Sequence, residues 1–104
     1  MRYLLTNVSE RRDDPNLHAE MGKFIRELTE AGTLLATGGM ELGGSILTSA
    51  GGELTVTDGP FAEAKEMAGG FALVEVASRE EALEIARRFF AIIGDGESHM
   101  RQVF

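Results

Sequence analysis

The stretch FALVEVASREEALEIARRFFAIIG, residues 71–94, decides the fold that the sequence predicts. Its first six residues are mostly apolar and include two valines, which is typical of a buried strand. Ser78 is followed three residues later by Glu81, a capping box that predicts the start of a helix. Apolar residues then recur at helical spacing, and Gly94 ends the helix. Residues 99–104 predict a final strand that returns to the sheet.

The N-terminal part of the chain predicts a strand, a helix and a second strand. Residues 2–8 are mostly apolar and are typical of a buried strand. Asp14 followed by Pro15 predicts a helix start, because the carboxylate caps the first turn and proline lacks only an N–H that is unpaired there. Gly32 ends this helix, and residues 33–37 predict the second strand. The helix has one apolar face, formed by Leu17, Met21, Phe24, Ile25 and Leu28.

Glycines dominate the middle of the chain. Residues 38–44 include four glycines and predict a flexible connection, in which a ligand can approach the backbone closely. Residues 45–49 and 54–58 flank two glycines at 51–52, which predicts a hairpin because adjacent glycines accept the positive φ values of a tight turn. The full order predicts an α+β fold, a ferredoxin-like split βαβ sandwich with an extra β-hairpin, in one domain over residues 1–104.

The predicted strands carry apolar residues on both faces. Neighbouring pairs are Leu4 with Leu5, Leu34 with Leu35, and Leu73 with Val74. A strand with one solvent-exposed face alternates apolar and polar residues, and two helices can cover only one face of a sheet. The pattern therefore predicts a symmetric homodimer in which a second copy covers the other face. The alternative is that some of these strands lie at twisted, partly covered sheet edges.

Composition excludes several classes of protein. Acidic residues outnumber basic ones by 17 to 10, giving a net charge of −7, which disfavours binding to nucleic acid or to a membrane surface. The chain has no cysteine, so disulfides, cysteine zinc sites and thiol nucleophiles are excluded. The longest apolar runs have about five residues, whereas a membrane span needs about 20. These features predict a cytoplasmic protein.

Two features of the sequence are weak candidates for cofactor or metal binding. Residues 38–45 imitate the glycine spacing of a phosphate-binding loop, but Gly44 stands at the lysine position and a strand follows instead of a helix. His18 and His99 are the two histidines, and neither stands in a recognised metal-ligand spacing. The sequence therefore predicts no cofactor and no metal.

Two side chains are candidates for acid–base catalysis. His18 lies one helical turn after Asp14, at the border of the apolar face, where a histidine can face a pocket and exchange protons near neutral pH. Asp58 precedes Gly59 and Pro60 at a strand end, where it can either act as an acid or base or cap the turn with its carboxylate. The alternative for His18 is an ordinary surface histidine. Phe61 is predicted to anchor the turn at Gly59 and Pro60 to the core.

Five segments together resemble one protein family. They are DGPFAEAKE at 58–66, GGF at 69–71, SREEA at 78–82, EMGKF at 20–24 and RQVF at 101–104. Taken together in chain order, they resemble the DGPF group within the YCII-related (YciI-like) proteins, over nearly the whole chain. The resemblance implies a ferredoxin-like fold assembled as a dimeric α/β barrel, in agreement with the two-faced strands.

The resemblance also implies a type of function. In the wider family a histidine and an aspartate suggest an enzymatic role, one relative is a dehydrochlorinase of a chlorinated hydroxyquinol, and some members are linked to sigma factors. Asp58 stands in the DGPF motif itself. The family's first-helix histidine falls near Met21 here, and His18 lies one turn earlier.

Two functions follow as expectations. The first is lyase- or hydrolase-like acid–base chemistry on a small molecule, with Asp58 and His18 as the catalytic pair in a cavity near the glycine-rich stretch. The second is a non-catalytic ligand-binding or interaction module linked to sigma-factor-dependent transcription, which predicts a cavity without paired titratable groups. The sequence does not decide whether the protein is an enzyme.

Overall fold

The computed structural model describes residues 1–10, 14–59 and 67–104. Six strands and two helices follow one another in these parts of the chain. They are β1 (Arg2–Glu10), α1 (Pro15–Glu30), β2 (Leu34–Met40), β3 (Ser45–Ala50), β4 (Glu53–Asp58), β5 (Met67–Glu75), α2 (Arg79–Ile93) and β6 (Glu97–Val103). None of the described helices is long and apolar enough to cross a membrane.

Four strands form one antiparallel sheet in the order β2-β5-β1-β6. Each helix connects two parallel strands that are separated in the sheet by a third strand, which is the split βαβ arrangement. The predicted α+β fold, an antiparallel sheet with two helices, is therefore confirmed.

The helices begin where the capping residues predict. The Asp14 carboxylate accepts a hydrogen bond from the Asn16 backbone N–H at 2.9 Å, and proline follows in the first turn. The Ser78 hydroxyl accepts from the Glu81 N–H at 3.2 Å, and the Glu81 carboxylate in turn accepts from the Ala77 N–H at 2.9 Å. These bonds satisfy N–H groups that have no partner inside the helix.

Both helices pack on the same face of the sheet. Val74 at the centre of β5 is fully buried, and its partner across the ladder, Tyr3, is 4% exposed. The helices contribute the other large part of the core, with Phe24 and Leu28 from α1 and Ile85 from α2. This face therefore holds the hydrophobic core.

The two central strands also carry apolar side chains on the opposite face of the sheet. Leu4 pairs with Leu73, and because side chains alternate along a strand, both point away from the helices. Phe71 lies on this face too, because it stands two residues before Leu73 in β5. We call the surface formed by Leu4, Phe71 and Leu73 the open face.

The glycine-rich stretch differs from its prediction. Gly38 and Gly39 belong to β2, which continues to Met40, and they are not part of a flexible connection. Strand pairing explains the difference, because Gly39 is registered with Gly70 of β5 and the backbone ladder needs no side chains.

Strands β3 and β4 form a separate two-stranded sheet. Gly51 and Gly52 connect them with φ values of 58° and 82°, in the left-handed region that favours glycine. Every residue of both strands is exposed. Phe61, predicted to pin the following turn, lies outside the described residues.

Candidate functional site

A cavity of about 450 Å³ lies between the sheet and the two helices. Phe24 and Leu28 line it from α1, and Ile85 and Phe89 line it from α2. Val74 lines it from the centre of the sheet. The cavity is thus lined by apolar side chains that also form the core.

Glycines form one wall of the cavity. Gly39 and Gly70 are opposite each other in neighbouring strands, and both line the cavity. A Cβ built on Gly39 has no atom nearer than 4.0 Å, so the space above this backbone is open. A Cβ on Gly70 would lie 3.0 Å from the Asn7 Oδ1, so this glycine makes room for the Asn7 amide. At Gly39 the wall is therefore bare backbone that a ligand can approach closely, and at Gly70 it is covered by the Asn7 side chain.

Four polar side chains line the cavity: Asn7, Ser9, Thr37 and Ser98. The Thr37 hydroxyl donates to the Phe71 carbonyl oxygen at 2.8 Å, and the Ser98 hydroxyl donates to the Thr6 carbonyl oxygen at 3.0 Å. Within the described residues, the Asn7 amide has no such hydrogen bond. It can both donate to and accept from a ligand.

None of the described lining residues is an aspartate, glutamate, histidine, lysine or arginine. The described parts of the chain also contain no group of three or more potential metal-binding side chains. What they provide at this site is apolar surface and neutral hydrogen-bonding groups. Such a lining suits an uncharged molecule, and the described lining residues include no side chain that acts as an acid or base.

The two side chains predicted to be catalytic lie elsewhere in the described structure. His18 is exposed in the first half of α1, and Asp58 is exposed at the end of β4. Neither is among the described residues that line the cavity. Both are described, yet no ion pair joins His18 to Asp58 or to Asp14. Catalysis by His18 and Asp58 stays a prediction.

Asp58 instead takes part in the hairpin. Its carboxylate accepts a hydrogen bond from the hydroxyl of Ser45, which is the residue opposite it in the ladder. The bond joins the first residue of β3 to the last residue of β4, at the end of the hairpin away from the glycine turn. Asp58 can therefore stabilise the local backbone without any chemical role.

A comparison with protein families identifies the chain. The model of the YCII-related domain matches residues 1–94. The chain belongs to the YCII-related family. One relative is an uncharacterized protein of Rhizobium meliloti (strain 1021). It is 34% identical over 85 residues, which span 80% of this chain and 68% of the relative.

Two solved structures share the fold of this YCII-related chain. One is 5-chloro-2-hydroxyhydroquinone dehydrochlorinase from Burkholderia phenoliruptrix AC1100 in complex with 2,5-dihydroxybenzoquinone, with a TM-score of 0.51 and 15% identity over 100% of this chain and 94% of that one. The other is the de novo designed protein Ferredog-Diesel, with a TM-score of 0.51 and 11% identity over 98% of this chain and 85% of that one. At these identities the likeness concerns the fold.

Sequence reasoning missed most of the cavity of this YCII-related chain. It singled out Gly38 and Gly39 as residues near a ligand, and both line the cavity. It did not assign a role to Asn7, although a polar amide on the buried face of an apolar strand is unusual and points to a pocket. The adjacent glycines Gly69 and Gly70 inside a strand were a second available signal.

Proposed function

We propose that this protein binds a small, flat, mainly apolar ring compound in the cavity between sheet and helices. The observation that carries the proposal is an apolar cavity of about 450 Å³ whose described lining holds no titratable side chain. Small-molecule sites usually have volumes of about 300–1,000 Å³ and combine apolar walls with a few polar groups. This is the ligand-binding alternative from the sequence, and it is favoured over acid–base catalysis in this cavity.

The shape and chemistry of the walls support this ligand class. A flat ring can lie against the backbone of Gly39, where the space is open, with the Asn7 side chain over Gly70 at its edge. Phe24 and Phe89 provide apolar contacts from the helices. A hydroxyl or carbonyl on the ring can pair with the Asn7 amide. The dehydrochlorinase that shares this fold holds 2,5-dihydroxybenzoquinone, which is also a small flat ring compound but carries four polar oxygens.

The proposal is tested with 2-naphthol, a flat bicyclic probe with one hydroxyl group. At about 0.5 kcal/mol per non-hydrogen atom, its 11 atoms give a Kd of roughly 0.1 mM. The chain has no tryptophan and one tyrosine, so probe fluorescence can be excited without background from the protein. A rise in fluorescence that saturates at one probe per chain is the expected result.

Two variants locate the bound probe. Gly39→Val fits a β-strand and fills open space in the cavity, so we expect it to weaken binding at least tenfold while the protein stays folded. Gly22→Ala is the matched control: its methyl group lies outside the cavity lining and meets only the Arg26 side chain at 3.6 Å. Equal binding by both variants and the wild-type protein would show that the probe does not occupy the cavity.

Acid–base catalysis by Asp58 and His18 is a second proposed function. Its support is the place of Asp58 in the DGPF segment and the fold shared with a dehydrochlorinase. It requires His18 on α1 and Asp58 on the hairpin to act on one bound molecule, within about 3 Å or through one water. The variant Asp58→Asn separates this function from the structural role, because it removes the carboxylate and keeps an oxygen that accepts the Ser45 hydrogen bond.

We also propose that the functional unit is a homodimer, assembled through the open face as a dimeric α/β barrel. Support comes from the apolar side chains of Leu4, Phe71 and Leu73, which point away from the helices of their own chain. Association with a sigma factor and a cytoplasmic location stay predictions from the sequence.

A further inference from the structure

Arg88 of α2 makes two contacts with α1. Its guanidinium group forms an ion pair with the carboxylate of Glu27, and it also lies over the ring of Phe24, 4.8 Å from the ring centre. The Arg88 and Glu27 side chains are 45% and 56% exposed, whereas Phe24 is 7% exposed. The arginine therefore covers Phe24 from the solvent side and joins the two helices.

These contacts lie on the solvent side of helix segments that line the cavity. Glu27 lies three residues after Phe24 and directly before Leu28, two of the α1 residues that line the cavity. Arg88 directly precedes Phe89, which lines the cavity from α2. Separation of α1 and α2 would widen the cavity on this side, and that movement breaks the ion pair and uncovers the Phe24 ring.

We propose that the Arg88–Glu27 ion pair is a latch between α1 and α2. When the two helices separate, a bound ligand can leave the cavity between them, so the latch sets the rate of release. The inference rests on the proposed ligand-binding function and adds a positioning role for Arg88, which holds Phe24 against the cavity. Arginine suits this role because its planar group pairs with a carboxylate and stacks on a ring at once, which lysine cannot do.

The same helix provides a matched control. Arg87 and Glu84 form an ion pair at 2.8 Å within α2, with side chains 64% and 61% exposed. Arg87→Met and Glu84→Gln remove the same charges as Arg88→Met and Glu27→Gln. The control pair does not connect the helices, so the two sets of variants separate the latch from a general effect of charge.

The first measurement needs no ligand. We expect Arg88→Met and Glu27→Gln to accelerate amide hydrogen exchange at Leu28 and Phe89 by about three- to tenfold. Exchange at the fully buried Val74 reports global unfolding and is expected to change less. Unchanged exchange at both helices, or equal acceleration in Arg87→Met, would overturn the latch.

The second measurement follows release of 2-naphthol by dilution in a stopped-flow instrument. We expect release to be three- to tenfold faster in either latch variant. The double variant should release no faster than Arg88→Met, because Glu27→Gln removes only the ion pair, which Arg88→Met already removes together with the stacking on Phe24. High salt should accelerate release from the wild-type protein but not from Glu27→Gln. Arg88→Lys should still show the salt dependence of release, because lysine keeps the charge. It should release 2-naphthol faster than the wild-type protein, because it loses the stacking on Phe24.

The two measurements separate the possible failures. If helix exchange responds but 2-naphthol release does not, the latch does not control the cavity and the inference is wrong. If the wild-type protein binds no 2-naphthol while exchange still responds as described, the proposed function fails and the contact between the helices stands.

Discussion

At the scale of single residues, Asp58 combines a place in the sequence motif with a structural contact. A carboxylate at a strand end is compatible with catalysis and with a local backbone role, and sequence alone leaves both open. Its hydrogen bond with Ser45 supports the structural role. Substitutions at these two residues distinguish the alternatives.

If Asp58 acts through Ser45, then Asp58→Ala and Ser45→Ala should each lower the free energy of unfolding by about 0.5–1 kcal/mol, and the double variant should lose no more than one single variant. Asp58→Asn should retain most stability, because the amide oxygen still accepts from the hydroxyl. Urea unfolding of the four proteins measures the coupling. Additive losses of unfolding free energy would contradict the structural role. If the wild-type protein turns over a substrate and the stable Asp58→Asn variant does not, catalysis by Asp58 is favoured.

At the scale of elements, local signals determine where the helices begin. Ser78 and Asp14 were identified from single residue types followed by apolar periodicity, and each makes the expected bond to a backbone N–H. Capping depends on residues that are near in sequence, so a pattern of a few letters contains the information.

The cap of α2 is open to a direct test. Ser78→Ala removes the acceptor of the Glu81 N–H and should lower stability by about 1 kcal/mol, which corresponds to a fall in Tm of about 4–8 °C in a domain of this size. Ser78→Asp is the control, because aspartate caps equally well and its charge is favourable at a helix N-terminus. Thermal unfolding followed by circular dichroism measures both variants. An unchanged Tm in Ser78→Ala would mean that the cap is not needed.

The cavity depends on contacts that no local pattern contains. Asn7 meets Gly70 and Ser98 only because β1 lies between β5 and β6 in the sheet, in one particular register. The three residues are far apart in the sequence and carry no shared periodicity. The elements could therefore be predicted from the sequence, but the site made by their pairing could not.

At the scale of the whole molecule, the chain is more extended than a compact domain. Its radius of gyration is 16.0 Å, against about 13 Å for a compact domain of 100 residues. The hairpin contributes exposed apolar side chains, with Leu47 and Leu54 about two-thirds exposed at 65% and 66%. A two-stranded hairpin alone is at best marginally stable in water. Packing against a second copy would stabilise it and also cover the open face.

The homodimer leads to a prediction about mass and its response to charge. The wild-type protein should sediment at twice 11.2 kDa at micromolar concentration. Leu73→Glu places a charge on the open face and should give monomers, because an unpaired carboxylate is costly to bury in an interface. Ala91→Glu adds the same charge at an exposed position of α2 and should leave the dimer intact.

Sedimentation equilibrium of the three proteins tests whether the open face is the interface. A wild-type monomer would exclude the dimer at that concentration. A dimer that persists in Leu73→Glu would instead mean that the copies associate elsewhere, and the exposed Leu47 and Leu54 of the hairpin would then be the surface to substitute next. In either case the cavity and the Arg88 contact lie within one chain, so 2-naphthol binding should persist in the monomer.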